Sequence, residues 1–395
     1  MRKLLSSPVK MPLSESDNFV YQNVLKFVPE LSLNLMAIKV NERPEDFLGW
    51  CHELLRLCRE DLNMDLLEPE QLRPLKKLQD TLEASISRSQ VNMTRIAPWP
   101  IFFDYINRQR VIHALDERLK LLNHIEEIRT QPLAEMIEED RLAFSGKHSS
   151  KHDVSVYDFD VEWFASTKSA KVFHTLLAQK ADAFDHALNC IPLEGDVTPE
   201  EYNNFVSAYQ QIFSSYTTDK PSGEKAPLAP ATRLLAMRRP DQFIALTNNK
   251  IDILCQGFSI AKFNNVDFTS YWQDMIGTIR TCAWWHQSEP ENNDELVLWK
   301  NRAILIDIFL FADENLAENS NFIRLRDKAL NTPVKSATSI AKKRTKASAE
   351  MLVDKALENE ELPEYMLNKR DSLVNQVKDG KSVEQAIGLM RAIFG

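Results

Sequence analysis

Apolar residues recur every three or four positions along most of this chain, which is the period of an amphipathic α-helix. In the first part of the chain, one such stripe covers 45–62 and a second begins at Pro69. A third begins at Pro100 and predicts one long helix over 101–128. Long amphipathic helices with short connections are typical of helical bundles. We therefore predict an all-α fold of multi-helix bundle domains, with at most a short strand near 154–163.

Breaks in this pattern divide the chain into four parts. The polar segment 145–153 separates an N-terminal helical bundle, 1–147, from a central helical domain, 154–330. Five of the seven tryptophans lie in the central domain, so we expect the best-packed core there. Residues 331–347 are predicted to be a basic linker, and 348–395 to form a small helical module.

Several residues predict where individual helices begin and end. Thr198 is followed by a proline and, three positions on, by Glu201, which is the pattern of a capping box at a helix start. Pro230 suits the first position of another helix, and Pro240 predicts its end. Gly257 is the expected end of the helix that follows.

Two basic elements stand out in a chain whose net charge is −9. The central stretch, 228–260, contains Arg233, Arg238 and Arg239, and the linker contains Lys335, Lys342, Lys343, Arg344 and Lys346. We predict that these residues contact nucleic-acid phosphates, independently of base sequence and with a steep dependence on salt. In the alternative interpretation, the arginines form structural ion pairs and the lysines keep a linker soluble.

Asp307 interrupts the apolar run Ile-Leu-Ile-Asp-Ile-Phe-Leu-Phe. A carboxylate within such a run is costly to bury unless it is paired. We predict a structural ion pair there and expect the arginines of the central stretch to be its partners. A catalytic carboxylate and simple exposure on an amphipathic helix remain as alternatives.

Composition excludes several functional classes. The nine glycines are scattered, so no glycine-rich loop that could cradle a nucleotide phosphate is present, and we expect no nucleotide and no cofactor. No apolar run is long enough to span a membrane, so we expect no membrane partner. Five cysteines without a spacing pattern indicate free thiols in a reducing compartment, and we expect a cytoplasmic protein.

The clusters that could carry metal or nucleophilic chemistry are incomplete. His148 and His152 lie in a flexible polar segment, whereas Asp182, Asp185, His186 and Cys190 share one helix face without further ligands of fitting spacing. The carboxylates Asp158, Asp160 and Glu162 with Lys168 approach a nuclease pattern, but the lysine has the wrong spacing. We therefore assign no catalytic residue and no metal ligand.

The central stretch resembles known proteins at the level of pattern. Its segment R-L-L-A-M-R-R-P-D-Q-F-I-A-L is followed by G-F-S-I, by Tyr271-Trp272 and by Trp284-Trp285. Over roughly 191–311 this looks like a family of bacterial helical proteins, and it is similar to helical domains attached to bacterial nuclease and defence systems. A fainter similarity to helix-hairpin-helix DNA glycosylases lacks the glycine-rich hairpin of that family.

We accordingly expect a non-enzymatic interaction or adaptor protein that works with nucleic-acid-processing partners in bacterial antiviral defence. A protein partner is expected, and nucleic acid would bind through the basic elements. Two alternatives remain open. One is a metal-dependent nuclease that uses carboxylates of the central domain, and the other is a scaffold with no nucleic-acid role.

Overall fold

The computed structural model describes residues 12–36, 46–147, 163–216, 225–310 and 370–378, together with Val353, Leu357, Val383 and Ile387. The described residues form helices, turns and loops, and no strand occurs among them. The all-α fold predicted from the hydrophobic period is confirmed. Of the strand expected near 154–163, only Trp163 belongs to the described residues, and it lies in a loop.

The longer α-helices of the described residues are numbered in chain order. They are α1 (Glu15–Met36), α2 (Phe47–Arg56), α3 (Pro69–Thr94), α4 (Trp99–Arg108), α5 (Leu115–Ile128), α6 (Glu138–Ser145), α7 (Lys171–Gln179), α8 (Ala181–Leu188), α9 (Pro199–Ser214), α10 (Leu228–Arg238), α11 (Asn248–Phe258), α12 (Asn293–Lys300) and α13 (Arg370–Lys378). Shorter helical segments are Leu57–Asp61, Met64–Leu66, Phe268–Ser270, Tyr271–Ile276, Gly277–Ile279, Ala283–His286 and Ile304–Leu310.

The helix predicted over 101–128 is in fact two helices. Helix α4 ends at Arg108 and α5 begins at Leu115, so the prediction of one continuous helix is wrong. Between them, Ala114 adopts a left-handed conformation with φ of 49°, which an α-helix cannot continue through. Apolar residues keep their spacing on both sides of the break, so the period alone does not reveal it.

The helix ends follow the sequence signals in part. Thr198 and Glu201 form the predicted capping box, in which the Glu201 N–H donates to Thr198 Oγ1 at 3.3 Å. Pro230 is the third residue of α10 rather than its first. Gly257 lies inside α11, which continues to Phe258 and ends before Ser259, a residue in the left-handed region with φ of 58°.

The described part of the first compact unit, Met1–Asn331, has two hydrophobic clusters. The smaller cluster joins α1, α2 and the segment after α2 to α3 as far as Ile86. The larger one begins with Val91 in the same helix and extends to Phe309. It contains residues from both sides of the predicted boundary at 147–154, so α4–α6 and the central helices share one core.

Helices α3 and α11 cross closely at Gly257. A Cβ atom added to Gly257 would lie 2.5 Å from Val91 Cγ1 and 3.3 Å from the Arg88 carbonyl oxygen. Since that space is filled, we expect Gly257→Ala to reduce the free energy of unfolding by about 1–3 kcal/mol. Urea denaturation of this variant measures the change, and Gly277→Ala, whose nearest contact would be 3.7 Å away, is the control. Equal stability of the two variants would contradict the close crossing.

The second compact unit, Thr332–Gly395, begins where the basic linker was predicted to begin. Its described residues include α13 and a small apolar cluster of Val353, Leu373, Val374 and Ile387.

Candidate functional site

Asp307 lies in the 3₁₀ segment Ile304–Leu310 and is only 3% exposed. One carboxylate oxygen accepts a hydrogen bond from Arg118 Nη1 at 2.7 Å, and the other pairs with Lys250 Nζ. Burial by itself raises the pKa of the Asp307 carboxyl, but the two cations outweigh burial and hold that pKa below its usual value. Asp307 is thus ion-paired, but its partners are Arg118 and Lys250 rather than the arginines of the central stretch that we expected.

Arg118 is held in place by more than this carboxylate. Its Nε donates to the His113 carbonyl oxygen at 3.0 Å, and its guanidinium lies over the rings of Trp163 and Phe164. Phe164 has a φ of 72°, which is a strained conformation for a bulky residue, and its carbonyl oxygen accepts from Lys250. The paired charges therefore lie against a strained loop at Phe164, which Lys250 contacts directly.

Arg233 is buried, with 1% of its surface exposed. Its Nε donates to the Phe144 carbonyl oxygen at 3.2 Å, one Nη donates to Ala143 at 2.8 Å, and the other donates to Trp163. The guanidinium thus satisfies three backbone carbonyls around the end of α6. The expectation that Arg233 contacts phosphate is corrected, because no part of this group reaches a ligand from solvent.

The neighbouring arginines are also bound to the protein. Arg239 is 3% exposed and donates to the Pro192 carbonyl oxygen at 2.8 Å and to the carboxylate of Asp241 at 2.8 Å. Arg238 is half-buried and donates to the Ile191 carbonyl oxygen at 3.3 Å. The expectation of phosphate contact is corrected for Arg239 as it is for Arg233, since both tie α10 to surrounding loops.

The linker residues Lys335, Lys342, Lys343, Arg344 and Lys346 lie outside the described residues. The same holds for the candidates His148, His152, Asp158, Asp160 and Glu162. Asp185, which we predicted to share a helix face with His186 and Cys190, accepts from the N–H groups of Leu133 and Ala134 at 2.6 and 3.0 Å, and Cys190 lies beyond the end of α8. In the part of the chain that the structure describes, no group of three or more His, Cys, Asp or Glu residues is placed to hold a metal ion.

The cysteines of the chain are free thiols, and all but Cys190 are buried. Burial raises the pKa of the Cys51 and Cys58 thiols to about 12. The thiolate form is therefore scarce at neutral pH, and neither side chain is suited to act as a nucleophile.

A cavity of about 580 Å³ opens where α7, α10 and α11 begin. This volume lies within the range of small-molecule binding sites. Hydroxyl, amide and ammonium groups make up its polar lining: Ser166, Thr167, Ser169, Lys171, Lys225, Thr247, Asn248, Asn249 and Asn265. Among the described residues that line it there is no Asp, Glu, His or Cys.

The three helices present their amino-terminal ends to this cavity in different ways. Asn265 occupies the start of α10, where its backbone and side-chain oxygens accept from the N–H groups of Leu228 and Ala229, both at 2.8 Å. Neither α7 nor α11 has a side-chain cap. The first-turn residues Asn248 and Asn249 of α11 line the cavity. Helix starts carry partial positive charge, which adds to that of the cavity lysines.

His174 supports the wall of this cavity from behind. Its Nε2 lies 2.9 Å from Thr167 Oγ1, and the Thr167 hydroxyl donates to the Ser145 carbonyl oxygen at 2.6 Å. Burial and the charge of Lys147 lower the pKa of His174 to about 4, so this imidazole is neutral at pH 7. It is a positioning group for Thr167 and adds no charge to the cavity.

The sequence contains a signal for this cavity that our sequence analysis did not use. The segments S-T-K-S-A-K at 166–171 and T-N-N-K at 247–250 each place small polar residues and lysine at the start of a helix. Such segments are typical of helix starts. The first backbone N–H groups of a helix have no acceptor within the helix, so they can donate to a ligand. The sequence does not show, however, that these two segments lie close together in the fold.

No family model, curated protein or solved structure matches this chain. Among the described residues, no helix is both long and apolar enough to cross a membrane.

Proposed function

We propose that this chain is a non-enzymatic interaction protein that contacts nucleic-acid phosphates through the cavity at the starts of α7, α10 and α11. The observation that supports this proposal is the lining of the cavity. It combines Lys171 and Lys225 with amide and hydroxyl donors and contains no carboxylate among the described residues. In a chain with a net charge of −9, such a local excess of positive charge and donors favours an anionic ligand.

The same lining supports binding rather than catalysis. A general base or a metal centre ordinarily uses His, Cys, Asp or Glu side chains, and the described lining has none of them. The volume of the cavity suits a short segment of a sugar–phosphate backbone better than a single small anion. Because contacts to phosphates do not read bases, we expect binding that is independent of sequence.

A salt titration of nucleic-acid binding tests this function. Fluorescence anisotropy with labelled single-stranded and duplex DNA should detect binding at about 50 mM salt, where phosphate contacts are strong. The double variant Lys171→Gln with Lys225→Gln should bind more weakly and lower the salt slope by about 2, one for each lost phosphate contact.

The matched control is Lys26→Gln with Lys76→Gln, which makes the same change in net charge on the exposed faces of α1 and α3. We expect its salt slope to equal that of the wild type. A variant with Lys342, Lys343, Arg344 and Lys346 changed to serine tests the basic linker separately. Absence of wild-type binding at about 50 mM salt, or an unchanged slope for the cavity variant, would contradict phosphate contact at the cavity.

A further inference from the structure

The cavity at the starts of α7, α10 and α11 has an apolar part that phosphate contact does not use. Phe173, Phe213 and Pro230 line the cavity and are buried. Val172 and Ala229 also line it and are half-buried. We call these five residues the floor of the cavity.

The charged and amide side chains of the lining are more exposed than the floor. Lys171, Lys225, Asn248 and Asn249 are all exposed residues, and we call these four the rim. The cavity is therefore a recess in which cationic and hydrogen-bonding groups surround an apolar surface. A ligand that matches both parts has an anionic portion and an apolar portion.

Hydrogen bonds hold the backbone around the floor in place. The Tyr209 hydroxyl donates to the carbonyl oxygen of Pro227, another lining residue, at 3.2 Å. Asn265 Oδ1 accepts from the Ala229 N–H at 2.8 Å, and the side-chain amide nitrogen of Asn265 has no acceptor among the described residues. The recess is thus formed before a ligand arrives, which reduces the conformational freedom lost on binding.

We propose that the cavity takes up one unpaired base of a single strand, with the base on the floor and the flanking phosphates at the rim. This inference rests on the proposed function and specifies its ligand as single-stranded nucleic acid. A phosphate alone would leave the floor in contact with water, whereas a base covers that apolar surface. The volume of about 580 Å³ lies in the range that encloses a small organic molecule, so one base with its sugar fits.

A duplex cannot place a base on this floor without breaking a base pair. Extruding a base from a duplex costs free energy, and this cost is least where the base is already single-stranded. A duplex would therefore contact only the rim, through its backbone. Phe173 and Phe213 are each 1% exposed, so their ring faces are not open for stacking. We expect the base to be held by its fit to the floor, with little preference among the bases.

Competition for binding to the full chain tests this inference. A fluorescein-labelled single strand is bound at about 50 mM salt and displaced by unlabelled competitors, with fluorescence anisotropy as the measurement. The competitors are a single strand, an abasic single strand and a duplex, matched in their number of phosphates. We expect the single strand to bind roughly tenfold more tightly than the other two, which is the effect of one well-packed base.

Filling the recess tests the position of the base. Ala229→Phe places a bulky side chain at the floor and leaves Lys171 and Lys225 unchanged, so we expect it to lose the preference for the single strand and to keep the wild-type salt slope. The matched control is Ala178→Phe, since Ala178 is exposed on α7 and does not line the cavity. Far-UV circular dichroism shows whether each variant keeps the native helix content.

The possible outcomes separate this inference from the proposed function. Equal affinity for the three competitors, with binding still weakened by Lys171→Gln and Lys225→Gln, would overturn base binding and leave phosphate contact standing. A natively folded Ala229→Phe variant that keeps the preference for the single strand would overturn it as well. Absence of binding by the labelled strand would overturn the proposed function, and base binding with it.

Discussion

Replacing Asp307 with alanine is expected to lower the free energy of unfolding by about 3–5 kcal/mol, because it leaves the buried Arg118 and the partly buried Lys250 without their shared carboxylate. Arg118 is the more enclosed of the two, since its side chain is 3% exposed and that of Lys250 is 25% exposed. Urea denaturation of the wild type and the variant measures this difference in the free energy of unfolding when the two m-values match.

The matched control is Asp252→Ala, which removes an aspartate from an exposed ion pair with Lys262 at 3.0 Å. We expect little change in stability there, because solvent screens exposed pairs. Equal effects of the two substitutions would show that Asp307 is not the centre of a buried network.

The same carboxylate predicts a dependence on pH. The pKa of Asp307 is lower in the folded chain than in the unfolded chain, so its contribution to stability is complete above the unfolded pKa of about 3.9. That contribution is lost as the pH falls below this value and the folded carboxylate takes up a proton. The stability difference between the wild type and Asp307→Asn should therefore shrink below about pH 4, as denaturation at several pH values would measure.

The sequence identified Asp307 as unusual but not its partners. A single acidic residue in an apolar run indicates a buried charge, and it can be recognised from the neighbouring residues in the sequence alone. Arg118 and Lys250 lie 189 and 57 positions away, and nothing in their own segments marks them as buried. Pairing over such separations depends on how helices cross, which the hydrophobic period does not determine.

The arginines of the central stretch illustrate a second limit. Their charge suggested an exposed face, yet nearly every residue of α10 is buried. The helix is apolar around most of its circumference, and such a helix belongs to the interior of a domain. Arg233 is its one charged residue before the last turn, so the composition of α10 indicated a buried arginine.

Replacing Arg233 with methionine is expected to reduce the free energy of unfolding by about 3–5 kcal/mol. The guanidinium donates to the carbonyl oxygens of Ala143, Phe144 and Trp163, and each buried carbonyl left without a donor costs roughly 1–3 kcal/mol. Methionine fills similar space and cannot donate. Arg233→Lys keeps the charge but not the planar fork, so we expect an intermediate loss.

Stability and DNA affinity measured on the same samples separate a structural role from a binding role for Arg233. Arg73→Met is the control, because Arg73 is exposed on α3 and its loss should leave the denaturation midpoint nearly unchanged. If Arg233→Met kept the wild-type midpoint and lost affinity for DNA, the guanidinium would be a phosphate ligand after all. We expect the reverse, a large fall in the midpoint and an unchanged salt slope under conditions where the variant is folded. The guanidinium is buried and already donates to three backbone carbonyls, so a phosphate from solvent does not reach it.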